Sequence, residues 1–164
     1  MICVNQSVAQ LGYTHSKLEE IAGDMATRST IGVLNADQSV TAIYCHWDGY
    51  IDHNGHILKD NYTDPEKIQT LMALGSLSIL APEIGEKQDF DATTSRDWCL
   101  AYGRDRGESD VEAQHHASVV DWLNRGEQFN YLWNGSEWLV SCYRTHGELR
   151  SLVQVMLETN KDHD

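Results

Sequence analysis

Apolar positions along this chain fall into two kinds of run, those typical of strands and those that recur at helical spacing. Ser29-Thr30-Ile31-Gly32-Val33-Leu34 and Val40-Thr41-Ala42-Ile43-Tyr44-Cys45-His46-Trp47 are β-rich runs on either side of a polar turn at Asn35–Gln38, which predicts a hairpin. The second run is apolar or aromatic on both faces, as expected of a strand inside a sheet. Asn54-Gly55 breaks it, and Ile57 and Leu58 open a short helical stretch toward Tyr62. Thr63-Asp64-Pro65-Glu66 is a helix start, with Thr63 as cap, Glu66 completing the box and Pro65 in the first turn. Ile68, Leu71, Met72 and Leu74 follow at helical spacing, and Gly75 supplies the stop. Leu77, Ile79 and Leu80 continue as an apolar tail to Pro82, after which residues 83–96 are polar and acidic, the pattern of a surface loop.

Trp98–Tyr102 predicts a third strand ending in the charged turn Gly103–Glu108. A helix runs from Ser118 to the Gly126 stop, with an earlier start near Glu112 left open. Phe129, Tyr131 and Trp133 alternate, Asn134-Gly135 suits a type I′ turn, and Trp138, Val140 and Cys142 return, which predicts a second hairpin. A closing helix from about His146 carries Leu149, Leu152, Val153, Met156 and Leu157 as one stripe. Residues 1–24 show little periodicity beyond Leu18 and Ile21, which follow a capping box of Ser16 and Glu19. The pattern therefore predicts an α+β domain over 25–164, with an antiparallel sheet of two hairpins plus one further strand, backed by three or four helices. Residues 1–24 form an N-terminal extension expected to be dispensable for folding.

Composition changes the picture in two respects. At 164 residues the chain is long enough to bury a core without metals or disulfides. Its 12 Lys plus Arg against 25 Asp plus Glu give a net charge of −13, which argues against direct nucleic-acid binding and suits a ligand for a basic surface or a mimic of nucleic-acid charge. If it is a mimic, Asp60, Asp64, Glu66, Glu83, Glu86, Asp89 and Asp91 should form a stripe. Cys3, Cys45, Cys99 and Cys142 are widely spaced, with no Cys-x-x-Cys pair and no secretory segment, the usage of free thiols in a cytosolic protein. No apolar run reaches the roughly 20 residues that cross a bilayer.

Chemically capable side chains crowd into Tyr44-Cys45-His46-Trp47-Asp48-Gly49-Tyr50 and Asp52-His53-Asn54-Gly55-His56. Cys45, His46, Asp48, His53 and His56 are zinc-ligand types, yet Cys45 and His46 are adjacent and point to opposite faces of a strand, and the spacing matches no closed zinc pattern. Cys45 with His46, His53 or His146 lacks the surroundings of a cysteine hydrolase. No phosphate-cradling glycine loop is present, and no cofactor is implied. Arg104 and Arg106 stand out in so acidic a chain; with Asp105 and Glu108 they form either an ion-paired turn or an anion contact. Asp48, His53 and Asn54 are expected at the end of the sheet, bonding the loop or facing a partner, with Arg104 or Arg106 as the counter-charge to Asp48.

From Met25 onward the sequence resembles a family of small acidic proteins of unassigned activity encoded by tailed bacteriophages and prophages. The resemblance rests on Met25-Ala26-Thr27-Arg28-Ser29-Thr30-Ile31, Ile43 through Tyr50, His53-Asn54-Gly55 with Ile57-Leu58, Leu74-Gly75 before Leu77-Ser78, and Ala101 through Glu108. It implies a setting, the cytoplasm of an infected bacterium, and a start at the methionine matching Met25. With no firm catalytic set, the expectation is a non-enzymatic phage protein that binds a host protein in host takeover or defence evasion, through His46, Trp47, Asp48, Tyr50, His53, Asn54, Arg104, Asp105 and Arg106. The alternative is a small-molecule or nucleotide-binding protein, or an enzyme, with a site around His46, Asp48, His53 and Arg104.

Overall fold

A computed structural model describes residues 26–92 and 97–161; the N-terminal extension, its expected helix and Cys3 lie outside them. The architecture is α+β, but the sheet is mixed rather than antiparallel. Its strands are β1 (Ser29–Leu34), β2 (Val40–Cys45), β3 (Leu77–Ile79), β4 (Leu100–Ala101), β5 (Gln114–His116), β6 (Phe129–Trp133), β7 (Trp138–Ser141) and β8 (Arg150–Ser151). They run in the order β4-β3-β2-β1-β6-β7-β8, with β5 paired to β2 off this path. β1 lies antiparallel to β2 but parallel to β6, with Ile31 beside Tyr131, and β3 joins β2 in parallel at Cys45. The free edge of β2 is thus shared between β5, which covers Val40 to Ala42, and β3.

Among the described residues five α-helices accompany the sheet: α1 (His56–Asn61), α2 (Pro65–Ala73), α3 (Tyr102–Arg106), α4 (Val119–Asn124) and α5 (Leu152–Lys161). One sheet face carries Ile31, Ile43, Cys45, Tyr131, Trp133 and Val140, which pack with Leu58 of α1, Ile68 and Leu71 of α2, and Leu152 and Val155 of α5. Each fully buried aliphatic side chain of this layer contributes roughly 1.5–3 kcal/mol of transfer free energy. The other face carries Val40, Ala42 and Leu132 under Trp122 of α4.

Several local expectations are corrected. Leu77–Ile79 is a strand, because it completes the half of the β2 edge that β5 leaves open. The region near Glu112 leads into β5 rather than into the following helix, and Ser118 caps α4 by accepting from Asp121 N at 3.0 Å. Asp64, not Thr63, caps α2, accepting from Glu66 N at 3.1 Å. The expected strand Trp98–Tyr102 shrinks to β4, and the charged turn is helix α3: the Asp105 carboxylate accepts from Ala101 N at 2.8 Å, and Gly107 ends the helix at φ +73°. Pairing of Trp133 with Trp138 leaves a four-residue loop in place of a two-residue type I′ turn; Asn134 Oδ1 holds it by accepting from Ser136 N and Glu137 N. The closing helix starts at Leu152, not His146, because His146 and Gly147 adopt left-handed φ values of 54° and 78° and Arg150–Ser151 then pairs with β7. The stripe rotates accordingly: Leu152, Val155 and Met156 are buried, whereas Val153 and Leu157 are exposed. The acidic segment after Pro82 is anchored, with Phe90 buried against Leu100 and Tyr102. No helix among the described residues is long and apolar enough to cross a membrane.

Candidate functional site

The motif after β2 is a shaped corner. The backbone first stays on β3, with His46 N donating to Leu77 O and Trp47 N to Ser78 O. Asp48 then turns at φ +56°, and Gly49 N donates to Thr27 O at 2.8 Å. A Cβ at Gly49 would stand 2.8 Å from Ser29 Cβ, so only glycine fits this approach. Tyr131 Oη donates to Gly49 O at 2.6 Å from the central strand β6. A π-helical turn, Ile51–Gly55, then carries the chain into α1.

Asn54 is the hub of this corner and is completely buried; of the two expected roles, bonding the loop or facing a partner, it takes the first. Its Nδ2 donates to Trp47 O and Ser29 Oγ, both at 3.3 Å, and contacts Cys45 Sγ at 3.5 Å. The carbonyl acceptor at Trp47 fixes the amide orientation, so Oδ1 receives the proton of His53 Nδ1 at 2.9 Å. Burial therefore does not orphan the amide; it ties β1, the corner and the π turn together. Cys45 is inert beside it, since burial pushes its thiol up to about 12.

The residues expected to act together are distributed over three environments. His46 points to the opposite face from Cys45, and its Nδ1 lies 2.7 Å from the Tyr44 hydroxyl; Trp47 packs edge-on to the His46 ring. Tyr50, 41% exposed, lies near the His53 ring. Partial burial, and after it the Asp48 carboxylate that its hydroxyl contacts, raise the Tyr50 phenol. Arg104 and Asp105 form an internal lock: Asp105 is buried and accepts from Arg104 Nε, Gln88 N and Ala101 N, while Arg104 also donates to Ile84 O and Cys99 O. Arg106 lies over the Phe90 and Tyr102 rings and pairs with Glu108 at 2.9 Å. The cation expected beside Asp48 is thus engaged elsewhere in both cases. Among the described residues no cluster of three or more His, Cys, Asp or Glu side chains is arranged to hold a metal ion.

A cleft of about 220 Å³ lies instead on the α4 side of the sheet, and none of the sequence-derived site residues lines it. Buried Thr30, Ala42, His116 and Trp122, half-buried Tyr44 and Glu127, and exposed Glu112, Gln114 and Arg125 are among the residues that line it. Burial raises the Tyr44 phenol, and a hydrogen bond from Arg28 pulls the other way. Sequence reasoning passes over these residues because they come from four separate segments; the only signal is the small pair Gly32 and Ala42 in strands that are otherwise bulky. No family model, curated protein or solved structure matches this chain.

Proposed function

We propose that the protein is a non-catalytic binding protein of a tailed phage, acting in the infected cytoplasm by engaging a host protein that presents a basic patch. The observation that carries this reading is the corner tip, where Tyr50 stands 41% exposed between Asp48 and Asp52 on a backbone held from beneath by Asn54 and Tyr131. An aromatic anchor on a rigid support loses little freedom on binding, and Tyr is among the residues enriched at interface hot spots. Flanking carboxylates select Lys and Arg and speed encounter. The charge of −13 extends that field, and the carboxylates of Asp60, Asp64, Glu66, Glu83, Glu86, Asp89 and Asp91 all belong to exposed residues.

The test is capture from host lysate by the immobilised full chain, followed by affinity measurement on the partner so identified. Tyr50→Ala should weaken that affinity about tenfold or more with the melting temperature unchanged, and added salt should slow association. Capture that survives Tyr50→Ala and Asp52→Asn unweakened refutes this assignment. Competition of the partner by DNA would indicate charge mimicry as the mode of binding; its absence would exclude mimicry.

A further inference from the structure

Two Asn-Gly pairs occur in the chain, Asn54-Gly55 and Asn134-Gly135, and the fold gives them opposite environments. In such a pair the glycine nitrogen can reach the preceding side-chain amide, because no Cβ blocks the approach. Around Asn54 that reaction has no room. Both residues are buried, Asn54 Nδ2 donates to Trp47 O and Ser29 Oγ, and a Cβ at Gly55 would stand 3.3–3.4 Å from the Ile51, Met156 and Tyr131 side chains. Asn134-Gly135 lies in the loop between β6 and β7, where both residues are exposed and a Cβ on Gly135 would meet nothing within 4 Å. Asn134 Oδ1 accepts from two backbone donors, Ser136 N at 2.9 Å and Glu137 N at 2.8 Å. Two N–H groups on one carbonyl oxygen polarise the amide, and they are already in place for the negative charge that attack at Cγ puts on that oxygen.

We propose that Asn134-Gly135 is a self-modification site, where the turn converts its own side-chain amide to a carboxylate without an enzyme. Gly135 N gives its proton to solvent hydroxide and attacks Asn134 Cγ, forming an N–C bond and closing a succinimide ring. The tetrahedral oxygen is held by the N–H groups of Ser136 and Glu137. As it collapses to a carbonyl, the Cγ–Nδ2 bond breaks, and Nδ2 takes a proton from water and leaves as ammonia. Water then adds at either imide carbonyl, so the ring opens to aspartate or to isoaspartate. The sum is amide plus water to acid plus ammonia, with no change of oxidation state, and the product adds one negative charge to the −13. The aspartate form keeps the turn, since a carboxylate accepts the same two N–H groups more strongly. The isoaspartate form routes the main chain through the former side chain and so lengthens the loop between the cross-strand neighbours Trp133 and Trp138. The site is independent of the Tyr50 reading, because no residue of the motif corner takes part.

The test is incubation of the full chain in heavy-oxygen water at mildly alkaline pH, followed by tryptic mapping, which places the two Asn-Gly pairs on separate fragments, 29–59 and 126–144. Fragment 126–144 should take up heavy oxygen at Asn134 and resolve into two products, one of them co-eluting with the fragment from Asn134→Asp, while Asn54 stays intact. Conversion at Asn134 should run at least as fast as in an unfolded peptide of residues 129–139. Gly135→Ala should slow it about tenfold or more, and Asn134→Asp should keep the melting temperature of the unsubstituted chain. An Asn134 that stays intact in the folded chain while the peptide converts overturns the proposal, as does equal conversion at Asn54 or a rate that Gly135→Ala leaves undiminished.

Discussion

Asn54→Ala separates a clamp from a contact at the motif corner. The substitution removes the donor to Trp47 O and Ser29 Oγ and the acceptor of His53 Nδ1, three hydrogen bonds at 3.3, 3.3 and 2.9 Å. Each is worth about 0.5–1.5 kcal/mol net. The side chain is completely buried, so Trp47 O loses a partner that water does not readily replace, and a small cavity opens beside Cys45. The sum is a loss of about 2–4 kcal/mol. For a chain of this size that lowers the melting temperature by roughly 4–16 °C. Differential scanning calorimetry measures it, with Tyr50→Ala as the control that should leave the midpoint in place because Tyr50 is partly solvated. A midpoint within about 2 °C of the unsubstituted protein would refute the clamp. Amide exchange at Gly49 and Asn54 should accelerate in Asn54→Ala, since their N–H groups bond Thr27 O and Asp48 O across the same corner.

Two further perturbations follow from buried ionisable groups. Burial raises the thiols of Cys45 and Cys99 and the phenols of Tyr62 and Tyr131, so the fold favours their protonated forms. The stability they contribute is fully present below their unfolded values, 9.0 for the thiols and 10.0 for the phenols, and is lost as pH rises from there toward about 12 for Cys45. Denaturant midpoints should be flat from pH 7 to about 9 and fall above it, with the phenolates of Tyr62 and Tyr131 appearing only on unfolding; either of these two phenolates in the native state at an undiminished midpoint would contradict this. Asp105→Ala should cost about 3–5 kcal/mol by leaving Arg104 uncompensated, and Arg104→Met/Asp105→Leu should not restore stability, because the pair also serves the backbone of Ala101, Gln88, Ile84 and Cys99. Chemical denaturation measures both; a fully stable double variant would show that the backbone contacts contribute little.

The strand runs at 29–34, 40–45, 129–133 and 138–141 are legible in the sequence because period and turn residues are local properties. The parallel pairing of β1 with β6 is not, since it joins segments 100 residues apart and leaves no local mark. The same limit governs the motif. That Tyr44–Gly55 is special can be read from its crowding of rare residues, but polarity alone places Asn54 outside, whereas Ser29 and Trp47 supply the partners that let it be buried. Arg104 and Asp105 are recognisable as a pair, and what the pair holds, the carbonyls of Ile84 and Cys99, depends on a segment whose composition reads as solvent-exposed loop.

The cleft is the least legible feature because a void belongs to a register and not to a residue. Gly32 in a strand signals only a close approach by something. Here that something is Trp122 of α4, which packs over Gly32 once Leu34 is set opposite Val40 and Gly32 against Ala42. A slip of one residue in this pairing would carry Ile43 to the α4 face and fill the space. The turn Asn35–Ser39 therefore controls the cleft from its far end: Asn35 N bonds Ser39 O at 2.8 Å, and Asp37 accepts from Ser39 N at 3.0 Å. Cleft and fold are set by the same hydrogen bonds, so a chain that keeps this turn keeps the space above Ala42.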